Sequence, residues 1–194
     1  MIGGTGTIGA AVAEALEPSH EVIVVSRTSQ PAVDLSDPRS IAAVLEGAGS
    51  VDALVCCAAN APLRPIAGST TEEFLGTVTP KLFGQVSAAI HGAARLNDGG
   101  SITLTSGAIP EGTPGAAGGA LVNAGLEAFV RAASLDLDRG VRLNAVSPGW
   151  VSESLAELGM DPSEGTPVRE VARAYVEAIV GSMNGAILRP GRLA

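Results

Sequence analysis

The sequence is poor in the residues on which many binding surfaces depend. Its 194 residues include one lysine, Lys81, against eleven arginines, and the formal net charge is -8. Such a chain is a poor ligand for nucleic acids and for anionic membrane surfaces. No apolar run approaches the roughly 18 residues of a membrane span, and no basic signal-peptide segment opens the chain. We therefore expect neither a nucleic-acid partner nor a membrane partner.

Cysteine is equally scarce, because Cys56 and Cys57 are the only two and they are adjacent. They form no disulfide framework and match no zinc spacing, so no metal site is predicted and a reducing cytoplasm is the simplest compartment. Only 16% of the residues are charged and 46% are hydrophobic, which argues against disorder. This composition favours one globular domain over residues 1–194.

Strand-like apolar runs alternate with helical patterns along the chain. Continuous apolar runs are typical of parallel strands covered on both faces, and they occupy residues 20–26, 51–59, 101–107, 141–149 and 185–191. Helical patterns lie between them, at residues 8–17, 37–49, 80–95, 118–137 and 167–181. Asp37 is expected to cap the second of these helices, and Thr79 to begin the third. The alternation predicts an α/β fold with a doubly wound parallel sheet, Rossmann-like.

The first strand of such a fold is short here. Only Met1 and Ile2 precede the first glycine turn, whereas a central strand needs about five residues. The central strand is therefore either a stub or preceded by a segment that the sequence does not show, and we expect the second.

A glycine-rich turn follows, in the stretch GGTGTIG. Glycines at such spacing permit a tight turn, a close approach of the backbone to a pyrophosphate, and close helix–strand packing. The helix that follows presents free N–H groups to the phosphates. The predicted coenzyme-binding residues of this turn are Gly3, Thr5, Gly6, Thr7, Ile8 and Gly9.

The residues after the second strand indicate which dinucleotide is bound. An NAD site usually offers an acid here to the ribose hydroxyls, but the chain has Ser26, Arg27 and Thr28. A guanidinium beside hydroxyl groups suits the 2′-phosphate of NADP, and we expect NADP rather than NAD. Asp34 and Leu35 stand where contacts to the adenine are expected. The alternatives are an exposed loop arginine and a solvated turn aspartate.

With these motifs in order, the chain resembles the short-chain dehydrogenase/reductase family over nearly its whole length. GGTGTIG is similar to the family's Gly-x-x-Gly-x-x-Gly variant. The resemblance also places coenzyme contacts at positions matching the family's Asn-Asn-Ala-Gly segment and its Asn-x-Val-x-Pro-Gly loop. The residues at those positions are Cys57, Ala58, Ala59, Pro148, Gly149, Val151 and Ser152.

The resemblance implies hydride transfer between a nicotinamide and a substrate carbon, with a serine orienting the substrate and a tyrosine and lysine handling the proton. Ser106, thirteen residues before Gly119, matches the serine, although a serine at a strand end could instead cap a turn. Gly119 and Asn123 occupy the tyrosine and lysine positions. Lys81 in turn occupies the position of the family's asparagine. We expect Lys81 to reach the ribose or proton path with Asn123 as its hydrogen-bond partner, unless it is an ordinary surface lysine.

Several functions remain open at this point. A divergent oxidoreductase acting on a small carbonyl, alcohol or quinone-like compound is favoured, and a non-catalytic NADP-binding protein is the alternative. A methyltransferase is disfavoured because Arg27 stands where an acid would bind that cofactor's ribose. Residues 150–167 are expected to cover the nicotinamide.

Two long helices carry more apolar positions than one core-facing stripe needs. These positions predict a homodimer or homotetramer, as the family resemblance also implies; they are Ala88, Ala89, Ile90, Ala93, Val122, Leu126, Phe129 and Val130.

Overall fold

A parallel sheet lies between two layers of helices in the computed structural model, which describes residues 1–58 and 62–191. Four strands lie side by side in chain order: β1 (Val51–Val55), β2 (Leu96–Thr105), β3 (Arg142–Val146) and β4 (Ile187–Leu188). Each neighbouring pair is parallel. Beyond β1, Ile2 forms single bridges to Cys56 on one side and to Val25 on the other. The chain thus runs from Ile2 outward in both directions, as the predicted doubly wound sheet requires.

Six α-helices connect and cover these strands in the described residues. They are α1 (Thr7–Leu16), α2 (Pro38–Ala48), α3 (Thr71–Ala93), α4 (Ala117–Ala133), α5 (Ser152–Glu157) and α6 (Val168–Val180), with a 3-10 turn at Pro162–Glu164. In this part of the chain no helix is both long and apolar enough to cross a membrane.

The core has two parts, one on each face of the sheet. Helices α2, α3 and α4 pack on one face around fully buried residues such as Ile102, Leu104 and Leu126. Helices α1 and α6 pack on the other, around Val12 and Tyr175. Both faces of the central strands are therefore apolar, which explains the continuous hydrophobic runs of the sequence.

Helix α3 begins earlier than the sequence pattern predicted. Thr70 and Glu73 form a capping box, each side chain bonding to the other's backbone N–H, so the helix starts at Thr71 rather than at Thr79 or Pro80. Pro80 lies inside the helix. Because it has no N–H, it cannot donate to the carbonyl of Gly76. The proline signal was therefore misread as a helix start.

Other boundaries also differ. Of the run 20–26, only Val25 bridges to a neighbour, because the partner strand contributes only Ile2. Helix α4 ends at Ala133, four residues early, since Leu135 N donates to Ala132 O and tightens the chain into a turn. Asp37 caps α2 as predicted, accepting a bond from Arg39 N.

Most of the apolar residues that predicted self-association belong to the core of the chain itself. Val122, Leu126, Val130 and Ala88 are fully buried, Ala89 is nearly so, and Ala93 and Phe129 pack against this core. The reason is that α3 and α4 pack against each other as well as against the sheet. Only Ile90 of that set is largely exposed.

Candidate active site

A cleft of about 740 Å³ opens where the chain diverges from Ile2. In open α/β sheets, ligands bind at this point, outside the carboxyl ends of the strands. The cleft joins the glycine turn to the residues after Val25 and to the first half of α3. Its lining includes many of the predicted coenzyme residues: Gly3, Thr5, Gly6, Ser26, Arg27, Thr28, Asp34, Leu35, Cys57 and Ala58, together with Lys81.

Two glycines of the turn are needed for packing. Gly3 has φ +79°, and a Cβ there would lie 2.5 Å from the backbone nitrogen of Ala58. A Cβ on Gly9 would collide with the carbonyl oxygen of Gly3. Both positions therefore exclude a side chain, so that α1 can sit against the turn.

Gly6 differs from its neighbours. It is the N-cap of α1, and the nearest atom to a Cβ built there is Gly3 O at 3.7 Å. No side chain among the described residues caps this helix end. Open space in front of uncapped N–H groups at Thr7 and Ile8 fits the diphosphate of a dinucleotide.

The segment after Val25 forms the next wall of the cleft. Ser26 is buried and its Oγ accepts a bond of 3.2 Å from Thr28 N, whereas the Arg27 side chain is exposed. Asp34 accepts bonds from the backbone N–H and the hydroxyl of Ser36, and these bonds lower its pKa. Arg27 is therefore the cationic group of this wall, close enough to Asp34 to favour its ionised form.

Lys81 lies at the centre of the candidate site. It is 6% exposed, and its Nζ donates to Ser106 O at 2.9 Å and to Asn123 Oδ1 at 2.8 Å. The hydrogen bond between the lysine and the asparagine predicted from their exchanged positions is thus present. Burial lowers the pKa of Lys81 to about 8. An ammonium has three N–H donors, so one remains for a ligand in the cleft.

The hydroxyl of Ser106 faces a residue that sequence reasoning missed. Ser106 Oγ donates to Glu127 Oε1 at 3.2 Å, and Ser147 Oγ donates to the same oxygen at 3.0 Å. The other carboxylate oxygen accepts from Arg189 and Arg131. Glu127 lies one helical turn after Asn123, so the spacing of four was a signal that could have found it. Ser106 is left with lone pairs to offer a ligand.

The predicted nicotinamide loop lies next to Ser106. Ala108 N donates to Pro148 O at 2.8 Å, which ties the loop to the end of β2. Val151 bridges to Thr166, and Ser152 N donates to Thr166 O. A Cβ on Gly149 would meet nothing within 4 Å. Pro148, Gly149, Val151 and Ser152 are not among the residues that line the cleft, and neither are Ser106 and Asn123, which Lys81 connects to it.

The remaining sequence expectations separate clearly. Ala59 lies outside the described residues. Tyr175, the one tyrosine of the sequence, is a packing residue, with its hydroxyl 2.6 Å from Thr105 Oγ1 and its pKa raised by burial. Thr77 and Pro80 line the cleft but were not predicted, because α3 was thought to begin after them. With the true helix start, Thr77 and Lys81 fall on one face.

We expect the pKa of Lys81 to be about 8 rather than 10.5, because its ammonium is desolvated. As the only lysine, it gives a single side-chain signal in protein labelled with ¹³C at lysine Cε, and a pH titration by NMR measures its pKa directly. A midpoint near 10.5, the ordinary lysine value, would contradict the buried geometry.

Stability provides an independent measurement of the same group. Between about pH 8 and 10.5 the unfolded chain keeps the lysine proton and the folded chain releases it, so this group makes the folded state more stable as pH rises. Relative to Lys81→Met, the parent should gain about 3 kcal/mol of unfolding free energy across that window. The buried thiols titrate in both proteins and cancel in the comparison.

Comparison with known proteins agrees with this geometry. A family model described as enoyl-(acyl carrier protein) reductase matches residues 10–164. No curated protein matches the chain. The crystal structure of the protein lin1944 from Listeria innocua is 34% identical, with a TM-score of 0.89 over 97% of this chain and 96% of that one.

Two further structures extend the comparison. A small-chain dehydrogenase in complex with NADPH is 32% identical, with a TM-score of 0.84 over 97% of this chain and 93% of that one. A short-chain dehydrogenase/reductase from Brucella melitensis shares the fold at 18% identity, with a TM-score of 0.82 over 97% and 92% of the two chains. The glycine turn, the parallel sheet and these matches together place the chain in the short-chain dehydrogenase/reductase family.

Proposed function

We propose that this protein is an NADP(H)-dependent oxidoreductase that transfers hydride to or from a small carbonyl, alcohol or quinone-like compound. The hydrogen bonds of Lys81 support this proposal most directly. The ammonium of Lys81 is buried at the cleft and bonded to Asn123, which occupies the family's lysine position. Burying a cation lowers the stability of a fold, and such groups are concentrated at functional sites.

The cleft fits the coenzyme along its length. The space before Gly6 would receive the diphosphate, and Arg27 with the hydroxyls of Ser26 and Thr28 would bind a 2′-phosphate. The similar small-chain dehydrogenase was crystallised with NADPH, which supports the same choice here. A bound nicotinamide would supply or accept the hydride at its C4 atom.

The chain's own contribution is to handle the proton and to orient the substrate. Gly119 offers no proton-transferring side chain, so Lys81, which lines the cleft and has one N–H beyond its two hydrogen bonds, takes over this task. A pKa of about 8 suits a general acid near neutral pH, because the group gives up its proton readily and regains it from solvent. Ser106, whose proton is held by Glu127, would accept a hydrogen bond from a substrate or water.

A non-catalytic NADP-binding protein is the competing function. Such a protein would need the cleft and would not need a side chain at Gly119. It gives no role to the third N–H of Lys81, which remains available to a ligand. Coenzyme binding alone therefore does not separate the two functions, and turnover does.

Arg27→Asp should weaken NADPH binding by at least about tenfold and leave NADH binding nearly unchanged, because a charge-assisted contact to the 2′-phosphate contributes about 1.5–3 kcal/mol. Calorimetric titration of both coenzymes measures the change. The matched control is Arg39→Asp, since Arg39 is 95% exposed on α2 and does not line the cleft. Equal losses for both coenzymes, or equal losses in both variants, would argue against a 2′-phosphate site.

Lys81→Met should lower kcat by about 10²–10⁴, the usual cost of losing a positioned acid. The assay is NADPH oxidation against quinones, aldehydes, ketones and oxo acids. In the reducing direction the parent's rate should fall as pH rises through about 8, because the ammonium is the donor. If Lys81→Met equals the parent protein in both activity and NADPH affinity, Lys81 does not transfer the proton. NADPH binding without turnover across the panel would favour the non-catalytic function.

We also propose that the chain self-associates through α3 and α4. Phe83 and Ile90 are largely exposed and lie two helical turns apart on α3, and Leu121 is exposed on α4. Apolar side chains grouped in this way on neighbouring helices are typical of an interface between subunits.

The combined change Phe83→Glu and Ile90→Glu should weaken association by at least about tenfold, since charge would replace buried apolar area. Sedimentation velocity measures the assembly state. Val180→Glu, at the exposed end of α6, is the control and should leave the assembly unchanged. A parent protein that sediments as a monomer would refute the interface.

A further inference from the structure

Lys81 is a buried cation without an anionic partner in the described part of the chain. Its two acceptors are a peptide carbonyl and an amide oxygen, both neutral. All the ion pairs found in residues 1–58 and 62–191 involve arginines. A buried charge is costly unless it is paired, so this position leaves room for a negative charge from outside the chain.

The carboxylates near the site are already engaged. Glu127 is the only acid of α4, and it accepts bonds from Ser106, Ser147, Arg131 and Arg189. Asp34 is the only acid among the described residues that line the cleft, and its carboxylate is bonded to Ser36. The thiol of Cys56 is no anionic partner for Lys81 near neutral pH, because burial raises its pKa to about 12.

The surroundings of the free N–H limit the kind of ligand. The lining residues contributed by α3 and by the segment after β1 are, apart from Lys81, small or apolar: Cys57, Ala58, Pro62, Gly76, Thr77 and Pro80. Arg27, the other cation among the described lining residues, lies on the wall after Val25. A phosphate or sulfate group is usually held by several donors, whereas a single ammonium is a compact charge that one carboxylate can pair.

We propose that the compound bound beside Lys81 is a small 2-oxo carboxylate, whose charge supplies the anionic partner that the chain lacks. The carbonyl oxygen and one carboxylate oxygen of such a compound lie side by side and can share the free N–H. This inference rests on the proposed function, because it takes the part of the cleft beside Lys81 as the place where the substrate binds.

The reaction balances with groups already named. The carbonyl carbon gains a hydride from NADPH, and its oxygen gains a proton from Lys81. The C=O π bond breaks, one C–H and one O–H bond form, and the coenzyme is oxidised to NADP⁺. The product is a 2-hydroxy carboxylate, and Lys81 regains its proton from solvent.

Oxamate, an unreactive analogue of a 2-oxo carboxylate, and its neutral relative oxamide provide the test. Both are titrated at constant ionic strength into the full chain carrying ¹³C-labelled lysine, once without coenzyme and once saturated with NADPH. Oxamate should raise the pKa of Lys81 by at least about one unit, and its affinity should fall by about tenfold between pH 7 and 10. Oxamide should bind at least about tenfold more weakly.

Two variants separate charge from shape. Lys81→Met should lose at least about tenfold in oxamate affinity, measured by calorimetry. Lys81→Arg keeps the positive charge, so it should retain oxamate affinity at pH 7. Its oxamate affinity should not fall above pH 8, because a guanidinium does not titrate there. If altered packing alone caused the loss of oxamate affinity, Lys81→Arg would lose as much affinity as Lys81→Met.

The outcomes also separate this inference from the proposed function. NADPH binding with no saturable oxamate shift in either state, or with equal binding of oxamide, overturns the 2-oxo carboxylate and leaves the oxidoreductase intact. Absence of NADPH binding overturns the proposed function, and the coenzyme-free oxamate titration then decides this inference alone.

Discussion

The contact of Lys81 with Ser106 O and Asn123 Oδ1 is the interaction around which the site is built. It brings together α3, the end of β2 and α4, three consecutive elements whose bonded residues lie up to 42 positions apart in the sequence. A buried ammonium imposes strict conditions, because each lost partner leaves a charge in a medium of low polarity. The positions of the two helices over the sheet and the chemistry at the cleft are therefore fixed by the same atoms.

The glycine turn satisfies a second condition, that backbone and ligand approach one another closely. Gly3 and Gly9 bring α1 against the turn, and Gly6 leaves space before the helix. The glycines that packing requires are thus distinct from the one that leaves space for a ligand. The same division appears in the predicted nicotinamide loop, where Gly149 is open and Pro148 is tied to the end of β2.

The sequence was sufficient for the parallel α/β fold, because continuous apolar runs and helix caps are local signals. It also paired Lys81 with Asn123, since two exchanged residue types at known family positions can be recognised without coordinates. Two features could not be found in this way. The start of α3 was obscured by Pro80, whose signal outweighed the weaker capping box at Thr70. The spacing of four after Asn123 points to position 127, but the partners of Glu127 that follow β2, β3 and β4 are brought together only by the fold.

The carboxylate of Glu127 has a consequence for the far edge of the sheet. Strand β4 contributes only two residues to the ladder, yet Arg189, immediately after it, is held by the carboxylate that also holds the Ser106 hydroxyl. Strain applied to this edge strand would reach Ser106 through only two hydrogen bonds. The last strand is thus mechanically coupled to the candidate site, and a fusion joined after β4 would strain the environment of Ser106 as well as the fold.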